Sequence, residues 1–239
     1  VNREIMQRRL VVQANTSGRD LDSVIRDNQS QIKKDVQTPE GYFISYGGQF
    51  ESQQKASRMM MLLGALSVIG VFLVLYMHFK SGFIAIQIML NIPMALIGSV
   101  VAIYLSDRIL SVASMVAFVT LCGIASRNGI MMISHYLHLM GEEKEPFSEE
   151  MVIRGSLERL VPVLMTALTA MLALVPLILA KGAPGKEILH PVAVVIFGGL
   201  FSSTLLDMWV TPTVFYRFGR RSAEKYVRQN TTKPEEENE

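Results

Sequence analysis

Polar and apolar residues divide this chain into two unequal stretches. Up to Arg58 they alternate on a short scale; from Met59 they give way to apolar runs that approach or exceed about 20 residues, the length needed to cross a hydrocarbon core about 30 Å thick. The pattern predicts five membrane spans, at about 59–79, 83–105, 110–140, 160–180 and 188–216, which together make a transmembrane domain over 59–217. Only Lys80, Ser81 and Gly82 separate the first two, so those spans are antiparallel neighbours. Pro93, Pro162, Pro176, Pro191 and Pro212 fall where neighbouring helices tolerate kinks.

The polar stretch, 1–58, reads as a small α/β piece. A strand is expected through Arg8–Ala14 and a turn at Gly18; Asp20 then caps a helix in which Leu21, Val24, Ile25, Ile32 and Val36 recur at helical spacing. Thr38-Pro39-Glu40-Gly41 ends that helix, and a second strand is expected through Tyr42–Tyr46. This β-α-β, ferredoxin-like unit has too little apolar surface to stand alone, so it reads as the end of a larger domain. The fold class is therefore mainly α: a polytopic membrane protein of five transmembrane helices preceded by an α/β piece.

Two segments lie outside the spans. Ser148 followed by Glu149 and Glu150 suits a helix amino terminus, and 147–160 is expected as a short amphipathic helix on the membrane surface. The tail, 218–239, ends in a polar, Glu-rich segment expected to be disordered.

Charge sets the expected orientation. Arg217, Arg220, Arg221, Lys225 and Arg228 crowd the carboxy-terminal tail, which places it in the cytoplasm together with Lys80, Lys144, Arg154 and Arg159; Lys55 and Arg58 oppose that bias. Five spans then send the amino-terminal piece outside. Nothing ahead of it resembles an export signal, so the chain reads as a fragment whose missing part includes at least one earlier span.

Composition narrows the chemistry. Half the 239 residues are hydrophobic, mean hydropathy is +0.31 and only 18% are charged, a balance that fits the bilayer as surroundings. A net charge of +2, with no basic patch, argues against nucleic acid. Cys122 stands alone, which leaves no disulfide framework and no cysteine pair for metal or redox chemistry. His135 and His138 share a helix face without a third ligand, and the Met59–Met61 run points around its helix rather than at one ion. No metal site and no cofactor are expected. With no phosphate-binding loop and no hydrolytic triad, neither ATP-driven transport nor catalysis is expected.

Two charges lie inside spans, and they are the candidate chemistry. Arg127, within Ser126-Arg127-Asn128-Gly129, costs about 2.5 to 3.5 kcal/mol at mid-membrane on insertion scales and demands compensation. It shares a face with Thr120 and Ser134, and Gly123 one turn away permits close helix approach, so this face is expected to look into the bundle. Arg127 either neutralises carboxylates that load and unload protons or holds a static ion pair. Asp207, with Thr204 and Thr211 on its face, is either a proton carrier or a structural counter-ion. Its depth suggests direct pairing with Arg127.

The order of these features resembles the carboxy-terminal end of the resistance-nodulation-division permeases. Gly123-Ile124-Ala125-Ser126-Arg127-Asn128-Gly129-Ile130 is similar to that family's tenth-helix motif, Arg159-Leu160-Val161-Pro162-Val163-Leu164-Met165-Thr166 to the start of its eleventh helix, and Gly198-Gly199-Leu200 with Pro212 to its twelfth. The resemblance implies a proton-driven efflux transporter of the bacterial inner membrane that exports drugs, metal ions or other toxic compounds. It further implies a homotrimer working with a periplasmic adaptor and an outer-membrane channel, with the amino-terminal piece periplasmic. By position, Arg127 and Asn128 belong to the proton relay, Thr166 takes the place of its threonine and Arg159 that of a basic residue on the cytoplasmic proton path. Arginine stands where multidrug members have lysine; it holds its proton more tightly, so it suits a fixed counter-charge. The alternatives are a lipid- or protein-export relative of the same architecture and a structural membrane scaffold.

Overall fold

The computed structural model describes residues 2–4, 7–9, 12, 21–36, 44, 46, 49–106, 110–180 and 188–231. They fall into two compact units that divide between Lys55 and Ala56. In the first unit, β1 (Asn2–Glu4) pairs antiparallel with β2 (Gln7–Arg9), placing Arg3 opposite Arg8. Helix α1 (Leu21–Asp35) carries Lys33 and Lys34 in its last turn, where cations complement the helix dipole.

The helix lies where its periodicity put it, and the expected strands are described only in part. Of the strand expected at Arg8–Ala14, Arg8 and Arg9 belong to β2 while Val12 lies in no strand. Ile44 and Tyr46, from the second expected strand, are also irregular. The rest of both segments, and Asp20, lie outside the described residues. The observed pairing is between segments close in sequence, whose ends meet at lower entropic cost than those of a β-α-β crossover.

The second unit is helical. Five stretches are long and apolar enough to cross a membrane. The first is α2 (Gln49–Phe79), followed by Lys80 in the left-handed conformation, φ 49°, which closes the tight turn. Ser81 then caps α3 (Gly82–Met89) through the Ile84 amide. The expected second span continues into α4 (Asn91–Leu105), with Pro93 in its first turn; Leu90 at the join keeps right-handed helical angles, φ −60° and ψ −22°, so the two form one candidate span, Gly82–Leu105, with a local irregularity. At the join the Leu90 amide is shared between the carbonyls of Ile86 and Gln87, 3.0 and 3.2 Å away.

Ser111 and Ser114 cap each other at the start of α5 (Val112–Gly141). The segment 147–160 is not a separate surface helix. Ser148 caps α6 (Glu149–Leu179), which continues through Pro162 and Pro176, since Pro162 removes one backbone bond and the flanking residues retain helical preference. The last span, α7 (Leu189–Val214), likewise does not stop at 216. It passes through a π-helical turn, Phe215–Gly219, into α8 (Arg220–Thr231), so the first part of the expected tail is helical. Residues 232–239 and the short loops 107–109 and 181–187 lie outside the described residues.

Helix α7 is the hub and packs against α4, α5 and α6. Its approach to α4 is close because small residues line the contact. A Cβ added at Gly98 would come 2.1 Å from Ser202 Cβ, and one at Gly198 would come 2.3 Å from Ala102 Cβ. The backbones are then near enough for Ser99 to donate to the Val195 carbonyl at 2.9 Å and Ser202 to that of Met94 at 2.8 Å. At one end of the bundle, Phe79, Ile88, Ile133, Tyr136, Leu139 and Phe215 form a fully buried cluster with the Tyr136 and Phe215 rings stacked at 4.7 Å. By contrast α2 presents Met61, Leu66, Val74 and Met77 outward.

If this contact carries α4–α7 association, Gly198→Val should lower the unfolding free energy in mixed micelles by at least about 2 kcal/mol, since a backbone-lined site cannot absorb the added methyls. Ser202→Ala should cost only about 0.6 kcal/mol, an average interhelical hydrogen bond. Denaturant titration followed by circular dichroism measures both, and equal costs would contradict the close-packing account.

Candidate functional site

Arg127 sits midway along α5 and is exposed within this chain. Its side chain borders an open cavity of about 380 Å³, walled by Thr120 and Gly123 on α5, Thr166 and Ala170 on α6, and Leu200 on α7. Asn128 also lines it, although that residue is largely buried. Thr120 and Thr166 turn their hydroxyl hydrogens onto carbonyls of their own helices, Val116 at 3.0 Å and Val163 at 2.9 Å. Their oxygen lone pairs remain available to accept. The cavity therefore presents one fixed cation on an apolar background, and the guanidinium is what would attract a carboxylate to it.

The face expected to be packed inside the bundle is thus open within this chain. Gly123 is exposed, and a Cβ built there would meet nothing within 4 Å. Arg159, seven residues before Thr166 on α6, is half-buried, with its Nε lacking a hydrogen-bond partner among the described residues.

Asp207 lies elsewhere, and the expected Arg127–Asp207 pair does not form among the described residues. The Asp207 carboxyl is 3% exposed and is held by Thr211 one turn later. The Thr211 hydroxyl oxygen is also 3.1 Å from Asn91 Oδ1, and the Gln87 amide donates to the Thr211 carbonyl at 3.3 Å. The cause is helix phase. Gly129, not Arg127, meets the α3–α4 join: a Cβ there would come 2.5 Å from Asn91 Nδ2 and 3.2 Å from the Ile88 carbonyl. Two residues earlier, about 200° back around α5, Arg127 points toward the α6 side instead. Thr204, also expected on the Asp207 face, is buried with its hydroxyl unpartnered among the described residues.

Two groups of residues were missed by sequence reasoning. Gln87 and Asn91 stand four apart in an otherwise apolar run, a spacing that could have flagged a polar face. The other is a clasp at the end of α5. Arg154 reaches Glu143 at 3.0 Å, Glu158 at 2.9 Å and also Glu145, while His135 Nε2 lies 2.7 Å from Glu158. This clasp fastens the α5–α6 loop to α6, and no alternation in the sequence announces it. His138 pairs instead with Glu142, at 3.3 Å, and no group of His, Cys, Asp or Glu able to hold a metal occurs among the described residues.

Helices long enough to span a bilayer, with a guanidinium opening on a cavity and a carboxyl buried between helices, define a polytopic membrane protein with charge inside its helical bundle. The chain belongs to the AcrB/AcrD/AcrF family, whose profile matches residues 1–219. It is 39% identical to Protein HelA of Legionella pneumophila over 92% of its length, and 36% identical to the cobalt-zinc-cadmium resistance protein CzcA of Cupriavidus metallidurans over 94%. Its fold is similar to that of a crystallographically determined heavy metal efflux pump, with a TM-score of 0.73 at 33% identity over 85% of this chain and 20% of the pump. The chain spans about one fifth of the length of these relatives, 21% of HelA and of CzcA.

Because Arg127 and Asp207 face different neighbours, their substitutions should act independently. Arg127→Met and Asp207→Asn are expected to change unfolding free energy additively, within about 0.5 kcal/mol in the double variant. A larger coupling in a double-mutant cycle would restore the direct pair.

Proposed function

We propose that this chain is the membrane-embedded, carboxy-terminal part of a proton-driven efflux permease of the bacterial inner membrane, and that its cargo is a heavy-metal cation. The observation that carries the reading is Arg127: a permanent cation at mid-helix, exposed on a cavity beside Thr166 and without an ion pair among the described residues. The names of the relatives, among them cobalt-zinc-cadmium resistance and heavy metal efflux, support metal over drug.

In this reading Arg127 is a counter-charge. A guanidinium holds its proton too firmly to pass it on, so the moving protons belong to carboxylates on another part of the protein, drawn into the cavity when ionised and released when protonated. Thr120, Thr166 and Asn128 line the cavity beside the guanidinium. Arg159, with its unpartnered Nε, stands on the cytoplasmic approach to that path. Positive residues in the tail set the carboxy terminus in the cytoplasm and the α/β piece in the periplasm, where the latter joins the porter. Trimer formation and docking to a periplasmic adaptor and an outer-membrane channel belong to the same reading.

The test is metal export by the natively encoded protein in cells lacking other exporters. Arg127→Met should abolish zinc or cobalt export, with membrane abundance and assembly unchanged. Arg127→Lys, which keeps the charge, should retain part of it. Full export by Arg127→Met would overturn the counter-charge role, and loss of assembly rather than export would mark Arg127 as a structural ion.

A further inference from the structure

A second polar centre lies away from the Arg127 cavity, where α7 meets the join between α3 and α4. Four of its side chains, Gln87, Asn91, Asp207 and Thr211, are each at most 3% exposed. A proline weakens each helix there. The α3–α4 span has a one-residue irregularity at Leu90 with Pro93 just beyond, and α7, helical throughout, loses a backbone donor at Pro212 immediately after Thr211. In membrane transporters, irregular backbone is tolerated at depth where it is buried in protein or lines an ion site.

Counting hydrogens identifies what the centre lacks. The Thr211 hydroxyl oxygen touches two acceptors, Asn91 Oδ1 and Asp207 Oδ1, but carries a single hydrogen. One of those contacts therefore needs a second hydrogen, supplied either by a proton on Asp207 or by the Asn91 amide turned about, whose Nδ2 has no partner among the described residues. No cation supplies the compensation: the polar side chains bonded around Asp207 are Thr211 and Asn91, and Asp207 forms no ion pair among the described residues. The elements packed against α7 agree. Helix α3 has no ionisable side chain, and α4 has only Tyr104 at its far end. Helix α5 brings Tyr136, whose hydroxyl is bonded to Ser156 at 2.6 Å, while Arg127 faces the cavity and His135 is held by Glu158. On α6, Arg154 is taken up by the clasp, and Arg159 makes no ion pair with Asp207.

We propose that Asp207 is a proton-binding site in its own right, and that its proton completes a hydrogen-bonded row from Asp207 through Thr211 to Asn91 that fastens α7 to the start of α4. A proton from water forms an O–H bond on the carboxylate and takes the centre from one negative charge to none. The acid then donates to Thr211, and Thr211 donates to Asn91. When the proton leaves, the carboxylate claims the single Thr211 hydrogen, and Thr211 no longer donates to Asn91. Protonation thus decides one polar tie between the start of α4 and the hub helix, beside the glycine and serine contacts that hold α4 to α7 in either state. The inference rests on the membrane-spanning reading, and on proton-coupled export only for its consequence in transport.

Infrared difference spectroscopy on the natively encoded protein in lipid nanodiscs, titrated with pH, tests it. The wild type should show a protonated-carboxyl stretch that is absent in Asp207→Asn and shifted in Asn91→Ala. Thr211→Val should shift the band further, and Thr211→Ser, which keeps the hydroxyl, should leave it in place even if the valine variant does not fold. Coincident wild-type and Asp207→Asn spectra at every pH where the helical signal persists would overturn the proposal; that result would fit an ionised Asp207 with the Asn91 amide turned the other way. Arg127→Met should leave the band unchanged whether or not it abolishes export, so failure of the site and failure of the export reading are separable.

Discussion

Everything in the helical unit depends on the requirement that polar groups placed in hydrocarbon find their partners inside the protein. The α4–α7 contact meets it most directly. Small residues let two backbones approach until serine hydroxyls reach across to the opposite carbonyls, and each helix then satisfies part of its neighbour. The same requirement bears on two prolines. Pro93 and Pro212 each take one backbone donor from their helices, and Gln87, Asn91 and Thr211 gather between these two positions.

The two intramembrane charges meet that requirement differently. Asp207 is enclosed by neutral donors and acceptors from its own chain, whereas Arg127 opens on a cavity with only hydroxyl acceptors nearby. Their separation comes from a rotation of two residues along α5, which gives Gly129 to the α3–α4 join and Arg127 to the α6 side. One helix thus serves two polar environments, divided by its own diameter.

The sequence made the spans legible because apolar length is a strong, local signal, and Arg127 and Asp207 stood out as charges within it. It did not make their partners legible. Pairing depends on rotational phase, and in helices apolar on nearly every side, such as α5 and α7, no polar face fixes that phase. The irregularity at Leu90 was hidden for a related reason: Pro93 marks a kink, but where the helix departs from regularity depends on its neighbours. Of the expected strands, most positions lie outside the described residues, and Arg8 and Arg9 are the described ones found in a strand. The run at 147–160 misled because its amphipathic turns are real but merge into α6.

The π-helical turn at Phe215–Gly219 re-phases the helix beyond it. One extra residue in a turn advances every later side chain by about 100°. That offset brings Ala223 fully inside and sets the Tyr226 ring 6.0 Å from Phe79, while Arg220 and Arg221 look outward. A chain one residue shorter here would turn its basic stripe onto the bundle and its aromatic anchor into water. The reach of the carboxy-terminal helix is therefore set by a single insertion in its winding, and the tail cannot be trimmed or grafted there without losing its seat.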